Sequence, residues 1–106
     1  MTNVVKKRSI SSELAQKMVH AVVAKAGEIG VRENVAILDD GGNLKAFSRM
    51  DGAPILCIEI AQNKAYTALF RVPTQDFFNF IQGAPSLLAG MPTLARVAPW
   101  GGWVPH

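Results

Sequence analysis

The sequence predicts a mixed α and β fold in one domain, with a β-hairpin set between helices. Three observations carry that prediction. Apolar residues recur at helical spacing from Leu14 to Ile29, a strand–turn–strand pattern runs from Val35 to Met50, and a second helical pattern follows a Gly-Pro loop. The chain has 106 residues, of which 49% are hydrophobic and only 18% charged. That length suits one modest core, and such a composition does not stay disordered. Residues 1–106 are therefore read as a single domain, with residues 1–10 as a basic N-terminal arm.

Composition also narrows the partners. Few charges on a small domain leave apolar surface to cover, which favours a homo-oligomer. The net charge is +3, part of it from Lys6-Lys7-Arg8. With no aromatic-interleaved basic stripe and no reader motif behind it, this cluster points to a solvated arm rather than to nucleic acid. The single cysteine and two histidines exclude an internal disulfide and give no zinc-ligand spacing. No run has signal-peptide or transmembrane character, so the expectation is a cytoplasmic protein with no membrane partner.

The elements follow in order. Val4-Val5 is read as a short edge strand or part of the arm. Ser11 or Ser12 offers an N-cap, and Glu13 lies in the first turn, where the helix dipole favours it. Leu14, Met18, Ala21, Val22, Lys25 and Ile29 mark the first helix, and Gly30 stands where a left-handed residue would end it. His20 on this helix is read either as an ordinary helix histidine or as a ligand. Val35–Asp39 and Leu44–Met50 are β-rich, and Asp40-Gly41-Gly42-Asn43 between them accepts positive φ, so the pair reads as a hairpin. Asp39 is then either turn chemistry or a site residue.

Arg49–Pro54 forms the loop into the next helix, with Gly52 at a bend and Pro54 at the first helical position. Free N–H groups there would seat a carboxylate or phosphate, reinforced by Arg49, unless Asp51 takes that seat or pairs with Arg49. The central helix is expected from Pro54 to about Val72, with Ile58, Ala61, Ala65, Ala68, Leu69 and Val72 as its packing stripe. Lys64 and Thr67 flank that stripe. A lysine there pairs with a buried carboxylate, covers apolar surface with its methylenes, or binds a ligand anion. Cys57 reads as a small apolar residue. Pro73 stops the helix, and Thr74 is expected to cap a short helix carrying Phe77, Phe78, Phe80 and Ile81. Gly83–Pro92 reads as a loop with a short apolar turn, and Leu94–Ala98 as a third strand.

These pieces resemble the GlcG/HbpS-like family, which includes the C-terminal domain of PduO-type proteins. The first helix ending in EIGV, the hairpin VAILDDGGNLKAFSRMDGAP, the helix IEIAQNKAYTA and the Pro73-Thr74 step carry the resemblance, over roughly residues 11 to 105. It implies a profilin-like α+β fold, an antiparallel sheet flanked by helices, and assembly into oligomers. It also implies haem binding in some members and links to corrinoid or small-carboxylate metabolism in others. Family members continue past a GGG-[IV]-P segment into a last hairpin and a closing helix. Gly101-Gly102-Trp103-Val104-Pro105 matches the start of that segment, so the last hairpin and closing helix are expected to be missing. The exposed face would then be covered by a neighbouring subunit or left by a shortened variant.

Three functions follow from these readings. The first is a small-ligand-binding accessory protein, taking haem or a related tetrapyrrole without covalent attachment. Its ligand-binding candidates are Asp39, Arg49, Asp51, Lys64 and Thr67; its iron-ligand candidates are His20 and Met50, since haem iron takes His, Met, Cys or Tyr. His106 would ligate only by an accident of fold or assembly. The second is an oligomeric accessory module. The third is an enzyme acting on a small carboxylate, with Arg49 and Lys64 holding the anion and Asp39 or Asp51 moving a proton. No nucleophile–base pair or metal cluster names a reaction, so the reading leans away from catalysis.

Overall fold

The computed structural model describes residues 3–98. Helix α1 spans Ser12–Glu28, and the strands β1 (Asn34–Leu38) and β2 (Leu44–Arg49) follow it. Helix α2 spans Cys57–Thr67 and continues as a 3-10 turn over Ala68–Phe70. Helices α3 (Thr74–Gln82) and α4 (Pro85–Gly90) and a 3-10 turn at Met91–Thr93 complete the order. This is the α+β fold the sequence predicts.

Both ends of α1 are set by local chemistry. Ser11 is the N-cap, its hydroxyl accepting from the Leu14 N–H at 3.1 Å. At the other end Gly30 adopts φ +75°, the Gly30 N–H donates to Gly27 O and the Val31 N–H to Ala26 O. This crossed pair of bonds satisfies carbonyls the helix cannot pair itself, and it needs a residue free to be left-handed. Ala15, Val19 and Ala26 form the buried stripe of α1, laid on the hairpin. The ion pairs Lys17–Glu13 and Lys25–Glu28 are exposed along its outer side and add little.

β1 and β2 pair antiparallel, with Asn34 opposite Arg49 and Ala36 opposite Phe47. The register slips between Ile37 and Leu38, which leaves Lys45 as the extra residue of a bulge on β2. Beyond the hairpin, Phe77 and Ile81 of α3 are the largest apolar side chains in the core, and Phe70 stacks on Phe77 with ring centroids 5.2 Å apart. Each such side chain contributes about 1.5–3 kcal/mol on burial.

The radius of gyration is 15.6 Å and the extents are 43 × 41 × 20 Å. A compact chain of this length has a radius near ~13 Å, so the molecule is a thin slab. Most of its core residues are small, and Ile55, Leu56 and Phe80 are at least two-thirds exposed.

Several boundaries differ from expectation. α2 starts at Cys57, because Pro54-Ile55-Leu56 forms a turn bonded Cys57 N–H to Pro54 O. It ends at Thr67, before Arg71 at φ 64° turns the chain. Pro73, not Thr74, occupies the N-cap of α3; Thr74 is buried, and its hydroxyl has no hydrogen-bond partner among the described residues. Leu94–Ala98 is not a strand: Arg96 takes φ 71°, which breaks an extended path, and the segment is held on α2 instead. Val4-Val5 is exposed coil. The Gly101–Pro105 match and His106 lie outside the described residues.

Candidate functional site

The hairpin carries polar residues at both ends, about ~17 Å apart at strand spacing. At its turn, one carboxylate oxygen of Asp39 accepts from the Gly41 and Asn43 N–H groups at 2.9 Å each, and from the Asn43 side chain at 3.2 Å. The backbone N–H of Asn43, foremost, holds this carboxyl below its ordinary value of 3.8. Asp40 receives the Ser9 hydroxyl at 2.7 Å and Lys7 at 3.3 Å, which lower its carboxyl too and tie the arm to the turn. Thr67 is buried on the neighbouring helix. Its hydroxyl meets Asn63 O at 2.8 Å and Arg96 O at 3.3 Å, and accepts from the Ala98 N–H at 2.7 Å. Arg96 stacks on the Tyr66 ring at 3.8 Å and donates to Gly42 O at 2.8 Å. The polar atoms of Asp39 and Thr67 serve the fold at this end.

The other end of the hairpin opens into the loop Met50–Ala53. The Met50 N–H closes the ladder on Glu33 O, and Gly52 makes the bend at φ +82°. Two guanidinium groups hold the loop from either side: Arg49 donates to Ala53 O at 2.9 Å and Arg32 to Asp51 O at 3.2 Å. A Cβ on Gly52 would collide with the Arg32 guanidinium, so this glycine is needed both for its backbone and for the arginine crossing it. No Arg49–Asp51 ion pair forms among the described residues; carbonyls take that place.

A groove of about 620 Å³ lies against this loop, with Arg32, Arg49, Met50 and Asp51 on one side and Val23 and Val31 on the other. Gly27 and Gly30 pave it, and a Cβ at either would meet nothing within 4 Å. Each arginine spends one terminal nitrogen on a carbonyl, and a guanidinium has further donors suited to a carboxylate. Met50 is a thioether within the same hollow. Two guanidinium groups in one hollow suit a ligand that carries carboxylates.

The remaining candidates lie elsewhere. His20 is exposed and borders a smaller hollow of about 290 Å³ that shares Ser48 with the Met50 groove. Lys64 faces a third groove of about 400 Å³ between α2 and β1, where Cys57, Val35 and Ala36 also lie and Arg32 forms the wall common to it and the loop groove. The structure thus brings Arg49, Met50 and Asp51 together and leaves Asp39, Thr67, Lys64 and His20 outside that group. Arg32 was missed by sequence reasoning. Its signal is its place two residues past the Gly30 helix stop, where the chain turns toward the loop. Among the described residues, no three His, Cys, Asp or Glu side chains converge as a metal site would need, and no helix is long and apolar enough to cross a membrane.

The family described as haem degrading protein HbpS-like matches residues 10–105. The chain belongs to the HbpS-like family. A 15.0 kDa protein encoded between dhaT and dhaS in Citrobacter freundii is 36% identical over 99 residues, spanning 92% of this chain and 70% of that protein. GlcG of Escherichia coli K12 is 34% identical over 89 residues, 79% of this chain and 66% of GlcG. Among solved structures, Klebsiella pneumoniae ORFY matches with TM-score 0.87 and 32% identity over 99% of this chain and 74% of ORFY. HbpS matches with TM-score 0.76 and 31% identity over 87% of this chain and 66% of HbpS. The chain therefore spans about two-thirds to three-quarters of these relatives.

Proposed function

We propose that this HbpS-like chain is a small-ligand-binding accessory protein that takes haem or a related tetrapyrrole non-covalently in the loop groove. One observation carries the reading: Arg32, Arg49 and Met50 line one hollow of about 620 Å³, together with Val23, Val31 and the side-chain-free Gly27 and Gly30. That volume lies within the ~300–1,000 Å³ range of small-molecule sites. The arginines would receive the ligand carboxylates, and Met50, or His20 in the hollow beside it, would approach the iron. Asp51 serves by lending its carbonyl to Arg32. Lys64 would act from the neighbouring groove through the shared Arg32 wall, while Asp39 and Thr67 hold the framework. The family description, which names haem, supports the same reading.

Titrating haem into the purified chain tests it. The expected result is a saturable Soret band whose position shifts in Met50→Leu or His20→Ala, with affinity lowered about tenfold or more in Arg49→Gln, the loss of one charge-assisted contact. No band, or a band indifferent to all three substitutions, rejects the groove.

A further inference from the structure

We infer that the loop groove is one end of a longer furrow between α1 and β2, and that His20, not Met50, meets the iron of a haem lying along it. The inference rests on the tetrapyrrole reading above and decides between the two iron ligands which that reading leaves open. Helix periodicity joins the two hollows. Gln16, His20, Val23, Gly27 and Gly30 border one hollow or the other at steps of four, three, four and three residues, which sets them along one side of α1 and its stop. Facing them, Ala46 and Ser48 of β2 and Met50 just beyond it stand at alternate positions. Ser48 lines both hollows, and no residue of β1 lines either.

The furrow changes chemistry along its length. Arg32 and Arg49 stand at the loop end, where carboxylates are held best. The middle is apolar, with Val23 and the bare backbone of Gly27. Past Ser48, the exposed His20 borders the far hollow beside Val19 and Ala46. Gly27 and His20 are seven residues apart on α1, about two turns and about 10 Å along its axis.

A haem carries its carboxylates on one edge and its iron at the centre of the ring. With the carboxylates on the two arginines, the iron stands further along the furrow. Met50 follows Arg49 directly in the chain and so belongs to the carboxylate end. His20 lies further in, and a neutral imidazole is an ordinary ligand of haem iron. Met50 then acts as a pliable apolar wall. A simple carboxylate uses only the loop end, so the ligand that engages the whole furrow carries a metal away from its carboxylates.

Paired titrations of the whole chain with haemin and with metal-free protoporphyrin IX test this, the first read by the Soret band and the second by porphyrin fluorescence. His20→Ala should weaken haemin by about tenfold more than protoporphyrin IX, and added imidazole should restore the haemin spectrum. The Soret band should shift in His20→Ala and not in Met50→Leu. Ser48→Phe, which narrows the passage between the hollows, should weaken both ligands, whereas Ala21→Phe, on the exposed outer side of α1, should weaken neither; circular dichroism checks that the variants fold. A wild-type chain that binds neither ligand rejects the loop groove, and this assignment with it. Haemin binding indifferent to His20→Ala, a band that shifts in Met50→Leu alone, or equal losses of haemin and protoporphyrin IX in His20→Ala would overturn the assignment and leave the groove standing.

Discussion

The two ends of the hairpin carry similar residue types and use them differently. At the turn, Asp39 bonds Gly41 and Asn43, Asp40 holds Ser9 and Lys7, and Arg96 caps the turn while resting on Tyr66. At the loop, Arg32 and Arg49 each hold one carbonyl and border an open groove. The difference lies in geometry, since the turn folds back on its own polar atoms whereas the loop is held apart from them. A polar residue near a glycine turn is therefore no guide to function until its hydrogen bonds are counted.

Breaking the turn end should cost the most stability. Thr67→Val leaves the buried Ala98 N–H without its acceptor and frees the segment from Leu94 to Ala98. The expected loss is about 2–3 kcal/mol, read as a fall in Tm of roughly 10 °C or more, with little change in haem affinity. If Thr67→Val abolished haem binding while Tm held, the assignment of Thr67 to the framework would be wrong.

Gly52→Ala comes next and should act on the loop end. Its positive φ and the collision with Arg32 together cost about 1–2 kcal/mol, and the displaced guanidinium should weaken haem binding in the same variant. A variant with lower Tm and unchanged affinity would detach Arg32 from the ligand site.

The smallest effect belongs to the acidic turn. The carboxyls of Asp39 and Asp40 are lowered below their ordinary value of 3.8 by hydrogen bonds in the folded chain. A group lowered on folding stabilises fully above its unfolded value and loses that contribution as pH falls through the folded one. Thermal melts should therefore show stability flat near neutrality and declining below about pH 4. Asp39→Asn should flatten the decline in part, and an unchanged acid limb would remove the turn from the account.

Much of the frame was legible because it rests on local chemistry. Ser11 caps α1, Gly30 stops it, and the Asp-Gly-Gly-Asn turn closes the hairpin, each a preference acting within a few residues. The Leu94–Ala98 segment was not legible. Its β-like composition is overruled by the Thr67 hydroxyl and by Gly42 O, which accepts from Arg96, partners 29 or more residues away in the chain. The start of α2 failed similarly, because Pro54 is held by Asn34 across the loop at 3.1 Å and its turn delays the helix.

The site divides along the same line. Arg49, Met50 and Asp51 could be named from sequence because they adjoin in one loop. The sequence by itself determined the elements, their caps and the pairing of β1 with β2, since these depend on neighbouring residues and on alternating apolar pattern. Only the tertiary structure decided which polar groups were used up. It set the Arg32 side chain on the loop, committed the polar atoms of Asp39 and Thr67 to the fold, and left the edge of β1 without a backbone partner among the described residues. Hydrogen-bond satisfaction depends on which segments meet, and no spacing within one segment records that.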